Sequence, residues 1–342
     1  MKHFECDYAC GAHPQVLAKL VAINGEENTG YGVDPHCERA QQLIREACQA
    51  PHADVHFLVG GTQANMTVIA AALRPHQGAV CAASGHINDH ETGAVEATGH
   101  KCLTLPTADG KITAEQIDAL CHAHYTNPSV EHTVQPGLVY LSMPTEMGTV
   151  YSKAELTAIR EVADRYHMIL FVDGARLAYG LAASDLTLPD MARLCDVFYL
   201  GGTKAGALCG EAVVITKPAL QEDFRYLIKQ RGAMLAKGWQ LGAQFEALME
   251  DGLFFRIGQQ AVARSARMRD AFLAKGWSML FHSPTNQQFP ILPDKALAAL
   301  ESKYSTCFWE KVDAEHTAVR FCTGWSTTEE EVDALIADIQ DL

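Results

Sequence analysis

The sequence predicts an α/β fold with a mostly parallel central sheet that helices cover on both faces. Short apolar runs, of the kind that form buried strands, recur between residues 55 and 216. Segments long enough for helices of ten or more residues separate them, and this alternation is typical of parallel sheets. Glycine or aspartate directly follows several of these runs, at the strand ends where such sheets bind ligands.

The first 250 residues are predicted to hold an N-terminal arm and this large domain. Residues 1–36 are irregular apart from a short helix near 15–23. The predicted strands are 55–59, 79–82, 101–105, 138–143, 168–172, 195–200 and 211–216. The predicted helices are 37–50, 62–74, the middle of 84–99, one from 113, 152–166 and 218–249, with capping boxes at Thr113…Gln116 and Ser152…Glu155.

A second, smaller α+β domain is predicted over residues 251–342, because Asp251-Gly252 interrupts the helical pattern. The predicted elements there are helices 253–275 and 294–302, strands near 278–281, 288–292, 306–310 and 317–322, and a last helix capped at Thr327…Glu330.

The composition narrows the class of protein. Of the 342 residues, 48% are hydrophobic and 20% are charged, which is ordinary for a soluble globular protein. A net charge of −14 argues against nucleic acid and anionic membranes as partners. No signal peptide pattern follows Met1, and no apolar run is long enough to span a membrane. We therefore expect a cytoplasmic protein whose eleven cysteines, none in a CxxC pair, are small buried side chains.

Residues 198–210 place one lysine at the end of a strand. The run 195–200 stops at Gly201-Gly202, Thr203-Lys204 follow, and the strand 211–216 comes after a glycine-rich turn. The small residues are expected to leave room for something bulky. A desolvated lysine has a lowered pKa and is a candidate Schiff-base nucleophile. The alternative is an ordinary surface lysine.

The segment 60–65, Gly-Gly-Thr-Gln-Ala-Asn, joins a predicted strand to a predicted helix. Its glycines allow a ligand to approach the backbone, and the free N–H groups of a helix start suit a phosphate. A tight turn with Thr62 as the N-cap is the alternative.

Asp173 directly follows the apolar run 168–172. A buried aspartate requires a partner, and a protonated ring nitrogen such as that of pyridoxal phosphate is one candidate. An ion pair with Arg176 or a helix N-cap is the alternative.

His86 is followed by His90 and Glu91. Two histidines four residues apart share a helix face, so a zinc site is one interpretation, although the sequence signals no third ligand. Stacking of the flat His86 imidazole on a flat cofactor ring is the other.

One assembly accounts for all these features: a phosphate site at 60–63, a ring-stacking His86, a pyridinium partner Asp173 and a Schiff-base Lys204. Further motifs lie in the same order, namely Cys6-Asp7, 31–34 (Tyr-Gly-Val-Asp), 61–65, Glu91, 148–151 (Gly-Thr-Val-Tyr), 173–177, 201–204, 319–321 and 325–328. With these motifs, nearly the whole chain resembles the low-specificity L-threonine aldolase / aromatic amino acid β-eliminating lyase family of pyridoxal-phosphate enzymes.

The resemblance implies the aspartate-aminotransferase fold (fold type I), with a seven-stranded sheet in a large domain that binds pyridoxal 5′-phosphate. It implies a covalent internal aldimine at Lys204, pairing of Asp173 with the pyridine nitrogen and stacking of His86 on the ring. The other implied contacts are Gly61, Thr62, Gln63, Thr203 and Arg176 for the cofactor, and Cys6, Arg176 and Arg320 for the substrate.

Such enzymes are homotetramers, built as dimers of dimers with the active sites at the dimer interface. Tyr31 and a basic residue of 229–237, assigned to Lys237, would then reach the neighbouring subunit's cofactor. Two residues depart from the family pattern. Cys6 stands where the family has a serine, and Glu146 stands where some aldolases carry a histidine that handles the substrate hydroxyl.

The predicted function is pyridoxal-phosphate-dependent cleavage of L-threonine or L-allo-threonine to glycine and acetaldehyde, a carbon–carbon lyase reaction without a metal. Lys204, Asp173, His86 and Glu146 are the predicted catalytic residues. The base for the substrate hydroxyl is His86 or a water ordered by Glu146. β-Elimination, or another lyase reaction of β-substituted amino acids, is the alternative. The remaining alternative is a non-catalytic or zinc-binding protein.

Overall fold

The computed structural model describes all of residues 1–342. Its strands are β1 (Lys2–His3), β2 (Asp54–Leu58), β3 (Gln77–Ala82), β4 (Lys101–Leu105), β5 (Gln135–Ser142), β6 (Ile169–Asp173), β7 (Val197–Gly201), β8 (Glu211–Ile215), β9 (Gln287–Gln288), β10 (Ile291–Pro293), β11 (Tyr304–Ser305), β12 (Cys307–Lys311) and β13 (His316–Cys322).

Its helices are α1 (Pro14–Ala22), α2 (Pro35–Cys48), α3 (Gly61–Ala72), α4 (His86–Asp89), α5 (Ala114–Tyr125), α6 (Lys153–Arg165), α7 (Leu177–Ala183), α8 (Leu188–Leu194), α9 (Pro218–Gln221), α10 (Phe224–Gln230), α11 (Trp239–Met249), α12 (Leu253–Ala274), α13 (Asp294–Glu301) and α14 (Glu329–Asp341). None of them combines the length and the apolar character needed to cross a membrane.

Seven strands form the central sheet, in the order β2-β8-β7-β6-β5-β3-β4. β3 to β7 pair in parallel, and β8 runs antiparallel to both of its neighbours. The predicted α/β fold with a mostly parallel, seven-stranded sheet is confirmed. Because the carboxyl ends of the parallel strands meet at one edge, the residues that follow β3, β5, β6 and β7 lie close together.

Both faces of the sheet are buried under helices. Consecutive strand residues alternate between two apolar clusters, as the two-residue period of a strand requires. Leu170 and Phe198 pack with side chains of α2, α6, α8, α11 and the start of α12. Phe171 and Tyr199 pack with side chains of α3 and α10 on the opposite face.

Local capping explains where several helices begin. The predicted capping boxes at Thr113 and Ser152 open α5 and α6. The last helix begins one residue later than predicted, because Thr328, not Thr327, accepts from the backbone of the third helical residue.

The predicted single helix over 218–249 is wrong. The segment forms three helices, α9, α10 and α11. Asp223 and Gly232 adopt positive φ values of 61° and 74°, which an α-helix does not tolerate. The turn over 231–238 that results matters below, because it carries Lys237.

The C-terminal part of the chain has its own antiparallel sheet, in which β13 pairs with β9, β10 and β12. The predicted strand at 278–281 is reduced to a single bridge between Met279 and Pro290. The N-terminal arm joins this part, because β1 pairs in parallel with β11.

α12 connects the two parts of the chain. Its first half, with Phe254 and Ile257, belongs to the core under the central sheet, whereas Met268 and Phe272 belong to the C-terminal core. The break before it, at Asp251 and Gly252, coincides with the boundary predicted at residue 250. The division into two domains stays a prediction.

Candidate active site

The carboxyl ends of β6 and β7 and the start of α3 enclose a cavity of about 250 Å³. Its walls include most of the residues that the sequence singles out: Gly61, Thr62, His86, Glu146, Asp173, Arg176, Thr203 and Lys204. A second, larger cavity of about 710 Å³ shares Lys204, His86, Glu146 and Arg176 with the first, and adds Arg320 and the aromatic side chains of Tyr8, Phe308 and Trp309.

Lys204 lies in the turn that follows β7. Burial lowers the pKa of its ammonium group, and the charge of Arg176 lowers it further. The glycines before it serve packing, not clearance for a ligand as predicted. A Cβ on Gly201 would lie 2.4 Å from the Ala175 carbonyl oxygen, and one on Gly202 would lie 2.7 Å from the Phe245 ring.

Asp173 ends β6 and is almost fully buried. Its Oδ2 accepts from Tyr140 Oη at 2.6 Å and from Asn65 Nδ2 at 2.9 Å. Its Oδ1 accepts from Tyr199 Oη and from the Ala175 N–H. Burial alone would raise the pKa of Asp173, but these hydrogen bonds and the charge of a neighbouring imidazole outweigh it, so the pKa is lowered. The carboxylate is held ionised.

His86 opens α4 and stands between two carboxylates. Its Nδ1 donates to Glu91 Oε1 at 2.7 Å, and Asn65 Nδ2 donates to the same oxygen at 2.6 Å. Because Asn65 also binds Asp173, one hydrogen-bonded chain joins Asp173, Asn65, Glu91 and His86. Burial would lower the pKa of His86, but Glu91 and Asp173 raise it above its ordinary value.

The start of α3 offers unpaired backbone donors to the cavity. Gly60 precedes the helix and no side chain caps it, so the N–H groups of Gly61, Thr62 and Gln63 have no acceptor within the chain. The Gln63 side chain does not face the cavity. Its oxygen accepts from the Val59 N–H at 3.1 Å, and its amide donates to a backbone carbonyl of the 231–238 turn.

Arg176 pairs with the carboxylate of Asp7, a residue for which the sequence predicted no role. The Arg176 Nε donates to Asp7 Oδ2 at 2.7 Å, and its Nη2 donates to Asp7 Oδ1 at 3.0 Å, which makes a bidentate pair. The predicted ion pair between Arg176 and Asp173 is therefore wrong. Arg320, on β13, donates at 3.3 Å to Gln287 and at 3.2 Å to the Glu5 carbonyl, and its buried Nε has no partner.

Glu146 is half-buried beside His86. Its Oε1 accepts from Ser142 Oγ at 2.6 Å and from the His86 N–H at 3.0 Å, and its Oε2 has no partner. Burial raises the pKa of Glu146 against the opposing hydrogen bond from Ser142. Cys6, the other departure from the family pattern, is half-buried and lines neither cavity.

Tyr31 and Lys237 lie outside both cavities of this chain. They lie on adjoining segments, since the Tyr31 N–H donates to the Ala236 carbonyl at 3.1 Å. Tyr31 is half exposed and has a positive φ of 65°.

Residues 6–283 match the family model described as beta-eliminating lyase. The chain belongs to the beta-eliminating lyase family. A low specificity L-threonine aldolase of Pseudomonas aeruginosa is 30% identical over 352 residues, which cover 99% of this chain and 97% of that protein.

Two solved structures place this chain among known folds. Leishmania major threonine aldolase is 43% identical, with a TM-score of 0.97 over 100% of this chain and 99% of its own. A double mutant of Thermus thermophilus aspartate aminotransferase, 15% identical, has a TM-score of 0.71 over 99% of this chain and 91% of its own. The second likeness concerns the fold alone, and the predicted aspartate-aminotransferase fold is confirmed.

The lining of the smaller cavity fits pyridoxal 5′-phosphate. A buried amine, an ionised carboxylate and unpaired helix-start N–H groups match its aldehyde, its pyridinium nitrogen and its phosphate. Since Asp173 already accepts four hydrogen bonds, a ring N–H that binds it must share or replace one of them. The structure contains no group of three or more His, Cys, Asp or Glu side chains that could hold a metal ion.

Several polar side chains of the site were not identified from the sequence. Asn65, Tyr140, Tyr199 and Glu211 are buried around Lys204 and Asp173. Asn65 belonged to a quoted motif without a role. The two tyrosines read as ordinary aromatic strand residues, whereas Glu211 carried a usable signal, because it is one acidic residue at the start of a run that is otherwise apolar.

Proposed function

We propose that this protein cleaves L-threonine and L-allo-threonine to glycine and acetaldehyde, with pyridoxal 5′-phosphate as its cofactor. The observation that carries the proposal is one cavity in which a buried lysine of lowered pKa, an ionised aspartate and an uncapped helix start face the same space. The relatives named above are threonine aldolases, and they direct the choice of substrate.

When bound, pyridoxal phosphate supplies an electron-withdrawing ring for breaking bonds at the α-carbon of an amino acid. Lys204 holds it covalently in this proposal, since a lowered pKa leaves a larger share of the amine unprotonated and nucleophilic. Ionised Asp173 keeps the ring nitrogen protonated, and His86 stacks on the ring. Thr203 and the start of α3 hold the phosphate.

Arg320 is the proposed ligand of the substrate carboxylate. Both arginines line the larger cavity, but the Arg176 guanidinium is occupied by Asp7. Arg320 has only long, neutral hydrogen-bond partners and an unpaired Nε. Such a guanidinium is free to bind a carboxylate by two hydrogen bonds. Arg176 then orients the N-terminal arm and contributes positive charge to the site.

Glu146 is the proposed base for the substrate hydroxyl, directly or through one water. Cleavage of the Cα–Cβ bond requires the β-hydroxyl to lose its proton as the aldehyde forms. Glu146 lines both cavities, and its Oε2 has no other partner. Its pKa is raised by burial, which makes its carboxylate a stronger base than an exposed glutamate.

A substrate panel tests the proposal. Purified protein with pyridoxal phosphate is incubated with threonine, allo-threonine, serine, cysteine and tryptophan, and aldehyde, ammonia and keto acid are measured. We expect glycine and acetaldehyde from threonine and allo-threonine. Keto acid and ammonia from serine, cysteine or tryptophan, without aldehyde from threonine, would instead establish the alternative, β-elimination.

The cofactor itself is tested by colour. We expect a visible absorption band that borohydride bleaches and that Lys204→Ala abolishes while the melting temperature stays near that of the wild type. A colourless wild-type protein in the presence of cofactor would refute the proposal.

We also propose a homotetramer built from dimers, in which Tyr31 and Lys237 reach the neighbouring subunit's cofactor. Their place on adjoining exposed segments supports this arrangement. Mixing inactive Lys204→Ala subunits with inactive Lys237→Ala subunits tests it. Shared sites regenerate activity in the mixed dimers, because one of the two sites then has both lysines intact, whereas self-contained sites predict no recovery.

A further inference from the structure

Glu211 has no role in the proposed function, although it lines the same cavity as Lys204. It is the first residue of β8 and pairs with Leu58 on β2 and with Gly201 on β7. The chain leads from Leu58 directly to the uncapped start of α3, and from Gly201 to Thr203 and Lys204. Glu211 therefore stands between the two segments proposed to hold the phosphate, at a place where a negative charge is unfavourable.

The hydrogen bonds around Glu211 leave one carboxyl oxygen without a partner. Oε1 lies 3.0 Å from Thr203 Oγ1, and Oε2 is buried and unpaired. Thr203 Oγ1 also accepts from the Gly210 N–H at 3.1 Å. Only 4% of the Glu211 surface is exposed, so bulk water cannot satisfy the missing bond.

The protonation state of Glu211 decides what Thr203 can do. A hydroxyl has one proton to donate and two lone pairs to accept with. If Glu211 is ionised, the Thr203 proton is committed to Glu211 and none is left for a phosphate oxygen. If Glu211 is neutral, it donates to Thr203, Gly210 occupies the other lone pair, and the Thr203 proton is free to bind an anion.

The surroundings of Glu211 favour the neutral form. Burial raises the pKa of Glu211 to about 8, while the charge of Lys204 and the hydrogen bond from Thr203 limit the rise. The titratable groups that face it are Lys204 from the turn after β7, Asp173 from β6, Tyr199 from β7 and Cys209 from its own loop. Lys204 is the only cation among them, and a bound phosphate dianion would favour the neutral carboxyl further.

We propose that Glu211 is a positioning residue for a phosphate monoester: its neutral carboxyl donates a hydrogen bond to Thr203, whose hydroxyl in turn donates to the phosphate. This role rests on the proposed function, because the phosphate is that of the cofactor. It makes affinity for the phosphate depend on a group that acts through the Thr203 hydroxyl. It predicts that the phosphate is held less tightly as Glu211 ionises.

The test compares pyridoxal 5′-phosphate with pyridoxal, which lacks the phosphate. Dissociation constants of both are measured by absorbance on the cofactor-free protein between pH 7 and pH 9.5, and their ratio isolates the phosphate contribution. For the wild type we expect the advantage of the phosphorylated compound to fall about tenfold across this range, because ionised Glu211 takes the Thr203 proton and the phosphate loses one hydrogen bond.

Three variants separate the proposed role from general structural damage. Glu211→Gln retains a neutral donor, so it should keep the wild-type advantage at pH 7 and lose the pH dependence. Glu211→Ala leaves the Thr203 proton free but removes the group that orients it, so it should lower the advantage by a smaller factor and remove its pH dependence. Thr203→Val removes the donor itself, so it should lower the advantage about tenfold at every pH, the usual effect of one lost hydrogen bond to a charged group. Combining the two should lower the advantage no further than Thr203→Val alone does. Melting curves identify any variant that is unfolded.

Either of two results would overturn the role of Glu211: an unchanged pH dependence in Glu211→Gln, or full phosphate advantage in Thr203→Val. Failure of the proposed function looks different. In that case the wild type takes up neither compound, or takes up pyridoxal phosphate without releasing aldehyde from threonine. A wild type that binds the cofactor, cleaves threonine and shows a flat ratio defeats the Glu211 role alone.

Discussion

The two ends of the cavity around Lys204 each hold a buried carboxyl group, and the two groups behave in opposite ways. Asp173 accepts four hydrogen bonds, and its pKa is lowered. Glu211 has one hydrogen-bond partner, and its pKa is raised to about 8. Burial acts on both in the same direction. The hydrogen-bond donors and the charged groups around each carboxyl therefore decide its charge.

This difference matches the charges of the proposed ligand. An anionic carboxylate suits a protonated ring nitrogen, and a neutral carboxyl suits a phosphate dianion. A single small cavity thus offers opposite electrostatic environments within the length of one cofactor. Four substitutions test whether hydrogen-bond donors and charge partners set the ionisation states of the buried carboxyl groups.

The largest effect is expected at Asp7, a third buried carboxylate, which owes its charge to a cation. Asp7→Asn leaves the Arg176 guanidinium buried without a counter-charge, so we expect unfolding to become about 3–5 kcal/mol easier. Urea unfolding of the cofactor-free protein measures this. The double variant Asp7→Asn/Arg176→Met is the control, because it removes both charges and should recover part of the loss. A loss below about 1 kcal/mol in the single variant would contradict this account.

The second largest effect is expected from removing the charge of Asp173, at the ring end of the cavity. Asp173→Asn keeps the shape of the side chain but cannot hold a ring nitrogen protonated. We expect kcat for aldehyde release to fall about 10³-fold, the upper range for losing one preorganised electrostatic contact. Stopped-time aldehyde assays measure the fall, and the melting temperature checks the fold. Activity within tenfold of the wild type would show that the charge of Asp173 is not used.

At the phosphate end, a pH effect on stability is expected. The native state keeps the Glu211 proton up to a pKa of about 8, whereas a glutamate in the unfolded chain has a pKa near 4.5 and releases its proton there. Stability contributed by this proton is present at low pH and is lost as the pH rises through that window. Relative to Glu211→Gln, we expect the wild type to lose about 3 kcal/mol between pH 5 and pH 8.

Urea unfolding of the cofactor-free protein at several pH values measures how the free energy of unfolding changes with pH, and this slope tests the Glu211 prediction. Glu222 is exposed, so Glu222→Gln serves as the matched control and should reproduce the wild-type slope. If Glu211→Gln shows that slope as well, the carboxyl of Glu211 is already ionised at neutral pH.

The smallest effect is expected from removing one donor at the ring end. Tyr199→Phe takes away one of the four hydrogen bonds to Asp173, so the pKa of Asp173 should rise. The acid limb of the activity profile should move upward by about one pH unit. Tyr304→Phe is the control, since Tyr304 is equally buried and donates to Asp338, away from the cavity. If the acid limb does not move in Tyr199→Phe, the titration of Asp173 does not set that limb.

Much of the fold and part of the site could be predicted because their signals are local. A strand followed at once by Asp173, or by Gly-Gly-Thr-Lys204, places those residues at the ligand-binding edge of any parallel sheet. The helix start at 60–63 is equally local. The prediction of one helix over 218–249 was wrong because the apolar spacing typical of a helix continues across Gly232, where the chain in fact turns.

The remaining features could not be predicted because they depend on partners distant in sequence. Asp7 and Arg176 are 169 residues apart, and Asn65 and Asp173 are 108 apart. No periodicity or spacing reports such pairs. Tyr140 and Tyr199 fit a buried strand equally well with or without a carboxylate beside them, so only the folded arrangement reveals them as donors.

The N-terminal arm has a consequence for how the protein is made. Asp7 binds Arg176 and also Asn286, and β1 pairs with β11 at residues 304–305. The arm is therefore synthesised early but finds its place only after Arg176, Asn286 and residues 304–305 have followed it. Since Tyr8 of this arm lines the larger cavity, a nascent chain that already contains Lys204 and Asp173 still lacks part of that cavity. Synthesis of the C-terminal part, rather than formation of the central sheet, sets the moment at which the cavity can be completed.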